Sequence, residues 1–157
     1  MNRLVVFVSI AAAGALVYAG SKVELALRGE LGMPGFPAPA QSYASYDPVG
    51  GQLGNAVVGV LLAGLILLLP WLPRSGWWRR SVLLGNGLAL AVVAVGVATF
   101  AARASGVAPV LGDPPVSAAG WWAVSVGVVW VAGWAVALRL ARRHPGRSVR
   151  DISPARH

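Results

Sequence analysis

The chain reads as an all-α integral membrane protein, a four-transmembrane-helix antiparallel bundle with both termini cytoplasmic. Three observations lead there. Of its 157 residues, 57% are hydrophobic and only 11% are charged, where soluble domains run at roughly 45–50% and about 25%. Four apolar stretches, 4–21, 53–72, 81–102 and 120–140, each approach the ~20 residues that cross a hydrocarbon core of about 30 Å. The basic residues then fall overwhelmingly on one of the two sides those spans define. Disordered chains are charge-rich and poor in branched aliphatics, so the composition excludes disorder as well. Residues 1–157 form a single membrane domain in this reading.

The first span is LVVFVSIAAAGALVYAGS (4–21). Beyond it, SKVELALRGEL keeps a helical pattern with Glu24 and Arg28 at i,i+4, so the helix is expected to project about two turns past the membrane. A competing reading takes Met1-Asn2-Arg3, the apolar run and Val17-Tyr18-Ala19 as a signal peptide cleaved after Ala19, leaving three spans in the same orientation. The helical continuation past Ala19 favours retention.

The second, third and fourth spans are rich in Val, Gly and Ala. These are weak helix formers in water, but in lipid the backbone must satisfy its own hydrogen bonds, and helix wins. Asp47-Pro48 supplies an N-cap and N1 for the second helix, Ser75 an N-cap for the third and Ser117 one for the fourth. Pro145-Gly146 stops the fourth after Arg139, Arg142, Arg143 and His144, cations that suit the negative end of a helix dipole.

Two outer loops are expected, 29–52 and 103–119, with a short cytoplasmic hairpin PRSGWWRR and a polar cytoplasmic tail, 142–157. The first loop carries Pro34, Pro37, Pro39 and Pro48 and the aromatics Phe36, Tyr43 and Tyr46. Long loops without secondary structure are uncommon unless functional, and aromatic side chains seek a surface to pack on. Phe36, Tyr43 and Tyr46 are therefore candidate contacts for a partner, the headgroups or the top of the bundle. Gly76-Trp77-Trp78 and Gly120-Trp121-Trp122 recur at a spacing of 44. They read as tryptophan anchors in the headgroup layer rather than as a transporter-type inverted repeat.

The net charge of +8 resembles a nucleic-acid footprint until it is divided by side. Ten basic residues and one acid, Asp151, share the side of the termini: Arg3, Arg74, Arg79, Arg80, Arg139, Arg142, Arg143, Arg147, Arg150 and Arg156. The other side has only Lys22, Arg28 and Arg103, with Glu24, Glu30, Asp47 and Asp113. The positive-inside rule places both termini in the cytoplasm. The arginines then face anionic headgroups, and no nucleic-acid partner is implied. Twelve arginines beside one lysine, with abundant Ala, Gly and Val, suggest a GC-rich bacterial genome and hence a bacterial cytoplasmic (inner) membrane.

Chemistry is sparse. There is no cysteine, which removes disulfides, thiolate metal sites and cysteine nucleophiles. No Asp, Glu, Lys or His lies inside the four stretches, so proton relays and voltage sensing are disfavoured. His144 and His157 lie outside them, and no cofactor or metal is expected. The outer acids Glu24, Glu30, Asp47 and Asp113 have no diagnostic spacing and read as caps and turn formers. Asn55 and Asn86, in opposite leaflets, are candidate intramembrane polar contacts to neighbouring helices. Ala11, Ala15 and Ala19, and again Ala119, Ala123 and Gly127, form small-residue faces for packing or for a partner. Trp130 and Trp134, at i,i+4, read as bundle core or as a lipid- or partner-facing ridge.

Three functions follow in order of preference. The first is a non-catalytic accessory or scaffold subunit of a larger membrane complex, with a protein partner or a second copy of itself. The second is a small oligomeric transport, channel or lipid-handling protein. The third is a membrane enzyme using the outer carboxylates.

Overall fold

The computed structural model describes residues 2–108, 110, 114 and 117–143. Asp113, both histidines and the tail from 144 onward lie outside the described residues. In chain order the elements are α1 (Arg3–Arg28), a hairpin of β1 (Gly32–Met33) and β2 (Phe36–Pro37), and the short α2 (Ser42–Ser45). They continue with α3 (Pro48–Leu67), a 3-10 turn (Leu69–Trp71), α4 (Trp77–Ala104) and α5 (Ala118–Arg143). Four of these helices are long and apolar enough to cross a membrane: α1, α3 with its 3-10 turn, α4 and α5.

The helix ends follow local chemistry. Asn2 caps α1 by accepting from Leu4 N, and Gly29 closes it in the left-handed conformation at φ 65°. Asp47 accepts from the Val49 and Gly50 amides ahead of Pro48 at N1, as expected. Two expectations are corrected. The second helix does not run regularly to Leu72. It ends at Leu67, because the Pro70 ring has no N–H and would collide with the Ile66 carbonyl. The chain tightens into a 3-10 turn instead. Ser75 does not cap α4 either. Gly76 takes that place with φ 112° and no side-chain bond, a backbone shape that a residue with a side chain rarely adopts.

Helix α1 packs against both α3 and α5, and α5 packs in turn against α4. Across α1–α5 the two contacting pairs run in opposite directions along the helices. Gly14 faces Trp130 and Gly133 faces Ile10 across α1–α5, Gly59 faces Ala15 and Ala19 across α1–α3, and Gly127 faces Val97 across α4–α5. The α1–α3 seam is small on both sides: Ala11, Ala15 and Ala19 are buried on α1, and Ala56, Gly59 and Ala63 on α3. Such seams bring backbones close, which is how apolar helices gain contact when lipid supplies no hydrophobic drive.

The core runs from Leu4 and Val8 on α1 through Ile66 and Leu69 to Trp134 and Ala137 on α5. It therefore fills the half of the molecule nearest Arg3 and Arg143. At that end Arg79 donates to the Ala141 and Arg142 carbonyls, at 3.2 and 3.1 Å, satisfying the last turn of α5.

A methyl group on Gly14 would stand 2.5 Å from Trp130 Cγ, whereas one on Gly64 meets nothing within 4 Å. Gly14→Ala should therefore lower stability by about 1–3 kcal/mol, the usual cost of overpacking. Gly64→Ala should be neutral or slightly stabilising. Thermal unfolding in mild detergent measures both.

Candidate functional site

The side chain of Asn86 is fully buried on α4 and engages three helices. Its Nδ2 donates to Val82 O at 3.0 Å within α4 and to Leu65 O of α3 at 3.1 Å. Its Oδ1 accepts from Trp134 Nε1 of α5 at 2.9 Å. An amide has two donors and one carbonyl acceptor, so every polar atom of this side chain is used. Trp134 stacks on Trp130, with ring centroids 6.1 Å apart and 9° between planes, and Trp130 meets Tyr18 of α1 at 5.8 Å. A polar clasp and an aromatic column thus tie all four long helices together.

Above the clasp, toward the hairpin, lies a cavity of about 830 Å³, walled by Gly14 and Tyr18 of α1, Val58 and Leu62 of α3, Ala89 through Phe100 of α4, and Ala123, Gly127 and Trp130 of α5. Its volume falls within the ~300–1,000 Å³ typical of ligand pockets. On α1 the lining runs from Gly14 to Lys22, a rise of about 12 Å. On α4 it runs from Ala89 to Phe100, about 16 Å. That height is close to one half of a ~30 Å hydrocarbon core. Several lining residues are also exposed at the surface, among them Val58 of α3 and Val92 of α4, at 49% and 73%.

The walls are apolar because the few hydroxyls nearby are bonded to their own helices. Ser21 donates to Tyr18 O and Thr99 to Val95 O, at 2.8 and 2.9 Å, and Ser125 to Trp121 O at 2.9 Å. One cation stands out. Lys22 lines the hairpin end of the cavity and is only 5% exposed. Its Nζ donates to Gly32 O at 2.6 Å and sits 5.4 Å from the centre of the Tyr18 ring. A lysine carries three donors. Among the described residues, the one ion pair joins Arg28 to Glu24 and leaves Lys22 without a carboxylate.

The first loop covers this end. Gln52 donates to Glu30 O and Gly32 O at 3.0 and 3.2 Å, and Tyr43 OH accepts from Leu31 N at 2.9 Å. Phe36 packs edge-on against Phe100 at 5.4 Å beneath the Arg103 guanidinium at 5.2 Å. Gly35, at φ 75°, rests directly on the Gly120 backbone, where no side chain would fit.

The residues singled out from sequence fall into distinct places. Ala11, Ala15 and Ala19 are buried in α1 seams, and Trp130 and Trp134 are buried in the column. Ala119, Ala123 and Gly127 line the cavity. Asn86 is the clasp, while Asn55 is exposed on α3. Phe36 is buried within the chain at 1% exposure, and Tyr43 and Tyr46 are exposed. Glu24 is engaged with Arg28 and Asp47 with the α3 N-terminus. No cluster of acids and histidines able to hold a metal occurs among the described residues. Sequence reasoning passed over Lys22, counting it as one more outer charge. The available signal was its i,i+4 spacing from Tyr18 on a helix that continues past the membrane.

Replacing Asn86 by Leu strands the Trp134 N–H in the core and should cost about 1–2 kcal/mol. In the Asn86→Leu background, Trp134→Phe should cost far less than it does alone. A double-mutant cycle of thermal unfolding in detergent reads this coupling. No known protein family, curated protein or solved structure matches the chain, so its functional reading rests on the geometry above.

Proposed function

We propose that this chain is a non-catalytic lipid-handling protein that holds one acyl chain of a membrane amphiphile in the cavity between α3 and α4. The observation that carries this reading is the cavity itself: about 830 Å³, apolar-walled and lined in part by surface-exposed residues of α3 and α4. A chain entering from the side would leave lipid for a wall of comparable polarity, so entry costs little desolvation. In this reading the protein is an antiparallel bundle in the bacterial cytoplasmic membrane with both termini inside, and the cavity lies in the outer leaflet. Support for the orientation is the division of charge, ten basic residues on the side of the termini against three on the other. The same arginines would hold that side against anionic headgroups.

A second reading, an accessory subunit of a larger complex, draws on α4. Leu84, Leu88, Val92 and Val95 form an exposed apolar stripe along it, suited to lipid or to a partner helix. The enzyme reading loses ground, since Glu24 and Asp47 are already committed to structural bonds.

Gly96 lines the cavity, and a Cβ there meets nothing within 4 Å. Gly96→Phe should therefore fold normally and fill the space. Native mass spectrometry from mild detergent should find one retained lipid on the wild type and a several-fold lower bound fraction on Gly96→Phe. Equal retention by both would contradict the reading. The absence of cysteine also permits a clean orientation test. A thiol at Ser45→Cys should be labelled by an impermeant reagent in intact cells, and one at Ser75→Cys only after permeabilisation.

A further inference from the structure

We infer that the amphiphile is anionic and that Lys22 holds its headgroup at the hairpin end of the cavity. This rests on reading the cavity as an acyl-chain site. Among the described residues, Lys22 is the one charged residue in the cavity wall, and it sits where the apolar span gives way to the polar loop. Burying an ammonium is costly unless its charge and donors are matched. Here Gly32 O takes one donor and the Tyr18 ring offers its face, and both partners are neutral. Gln52 donates to the same Gly32 carbonyl, so that acceptor is held by a neutral side chain as well. A methionine of similar length would fill the space without the cost of charge.

An amphiphile with an anionic head completes the arrangement. Its chain runs down the apolar wall from Phe100 toward Ala89, and its phosphate or carboxylate oxygen accepts the remaining Lys22 donors. The ring of Phe36 and the Met33–Pro34 turn, which also line the cavity, cover the junction between head and chain. The head is thereby fixed at the level of the first loop and the chain end at the level of Trp130. Charge-assisted hydrogen bonds are worth about 1.5–3 kcal/mol, which corresponds to roughly 10–100-fold in affinity.

The test uses the full-length protein in nanodiscs of zwitterionic lipid, with four probes sharing one oleoyl chain. These are oleate, oleoyl lysophosphatidate, oleoyl lysophosphatidylcholine and monoolein, each competing against a fluorescent single-chain reporter. Wild type should bind the two anionic probes about 10–100-fold more tightly than monoolein. The order of oleate and lysophosphatidate then distinguishes a carboxylate from a phosphate head. Lys22→Met should lose that preference while still binding monoolein, and Lys22→Arg should keep most of it. Equal affinity for anionic and neutral probes in wild type, or a preference that survives in Lys22→Met, would overturn the assignment of Lys22. Failure of every probe to displace the reporter, or displacement unaffected by Gly96→Phe, would instead overturn the cavity as an acyl-chain site.

Discussion

The arrangement of this molecule depends on one buried side chain. Asn86 bonds α3, α4 and α5 at a single depth, and in a hydrocarbon environment its polar atoms have no water to turn to. An amide with all its polar atoms used in this way fixes helix register, because a slip of one residue would unpair several of them at once. Below the clasp the helices close around the core of Ile66, Leu69 and Trp134. Above it, no side-chain hydrogen bond joins α3 to α4 among the described residues, and the cavity lies on that side of the clasp.

The other half of the architecture comes from residues that are small or absent. Gly14 and Gly133 let α5 approach α1 closely enough for the Trp130 ring to meet the Tyr18 ring at a tilt. Gly59 does the same between α3 and α1. With α1 held between α3 and α5, the far side of the cavity is walled by Val58 and Leu62 of α3 and by Ala, Val, Gly and Phe100 of α4. The first loop then folds back over the opening, secured by Gln52, Phe36 and the Gly35–Gly120 backbone contact.

Much of the fold was legible from sequence, because spans are a matter of length and composition. The Asp47-Pro48 start, the helical extension to Arg28 and the buried Ala11–Ala15–Ala19 face all follow from local pattern. The capping of α4 did not, since Ser75 and Gly76 are both plausible and only the backbone angle decides between them. The loop 29–52 reads as irregular chain, yet it contains a hairpin and a buried phenylalanine. What buries Phe36 is Phe100, distant in sequence. The site was less legible still. Asn86 was marked as a helix contact, but its partners, Leu65 and Trp134, lie on other helices. Lys22 counts in sequence only as one of the outer charges, because its contact with Gly32 and the covering loop is not a local pattern.

In the proposed reading, the arginine-rich side anchors the protein and the opposite side carries the covered cavity with Lys22 at its end. Its central claim is that an acyl chain occupies the space between α3 and α4. Photocrosslinking with an amphiphile bearing a diazirine midway along its chain tests that claim most directly, with the labelled residues mapped by peptide sequencing. The account predicts adducts on the cavity wall, at Val58, Leu62, Val93 and Ala123. Adducts spread instead over the outward stripe of Leu84, Leu88 and Val95 would show the chain to be ordinary surrounding lipid and would contradict it.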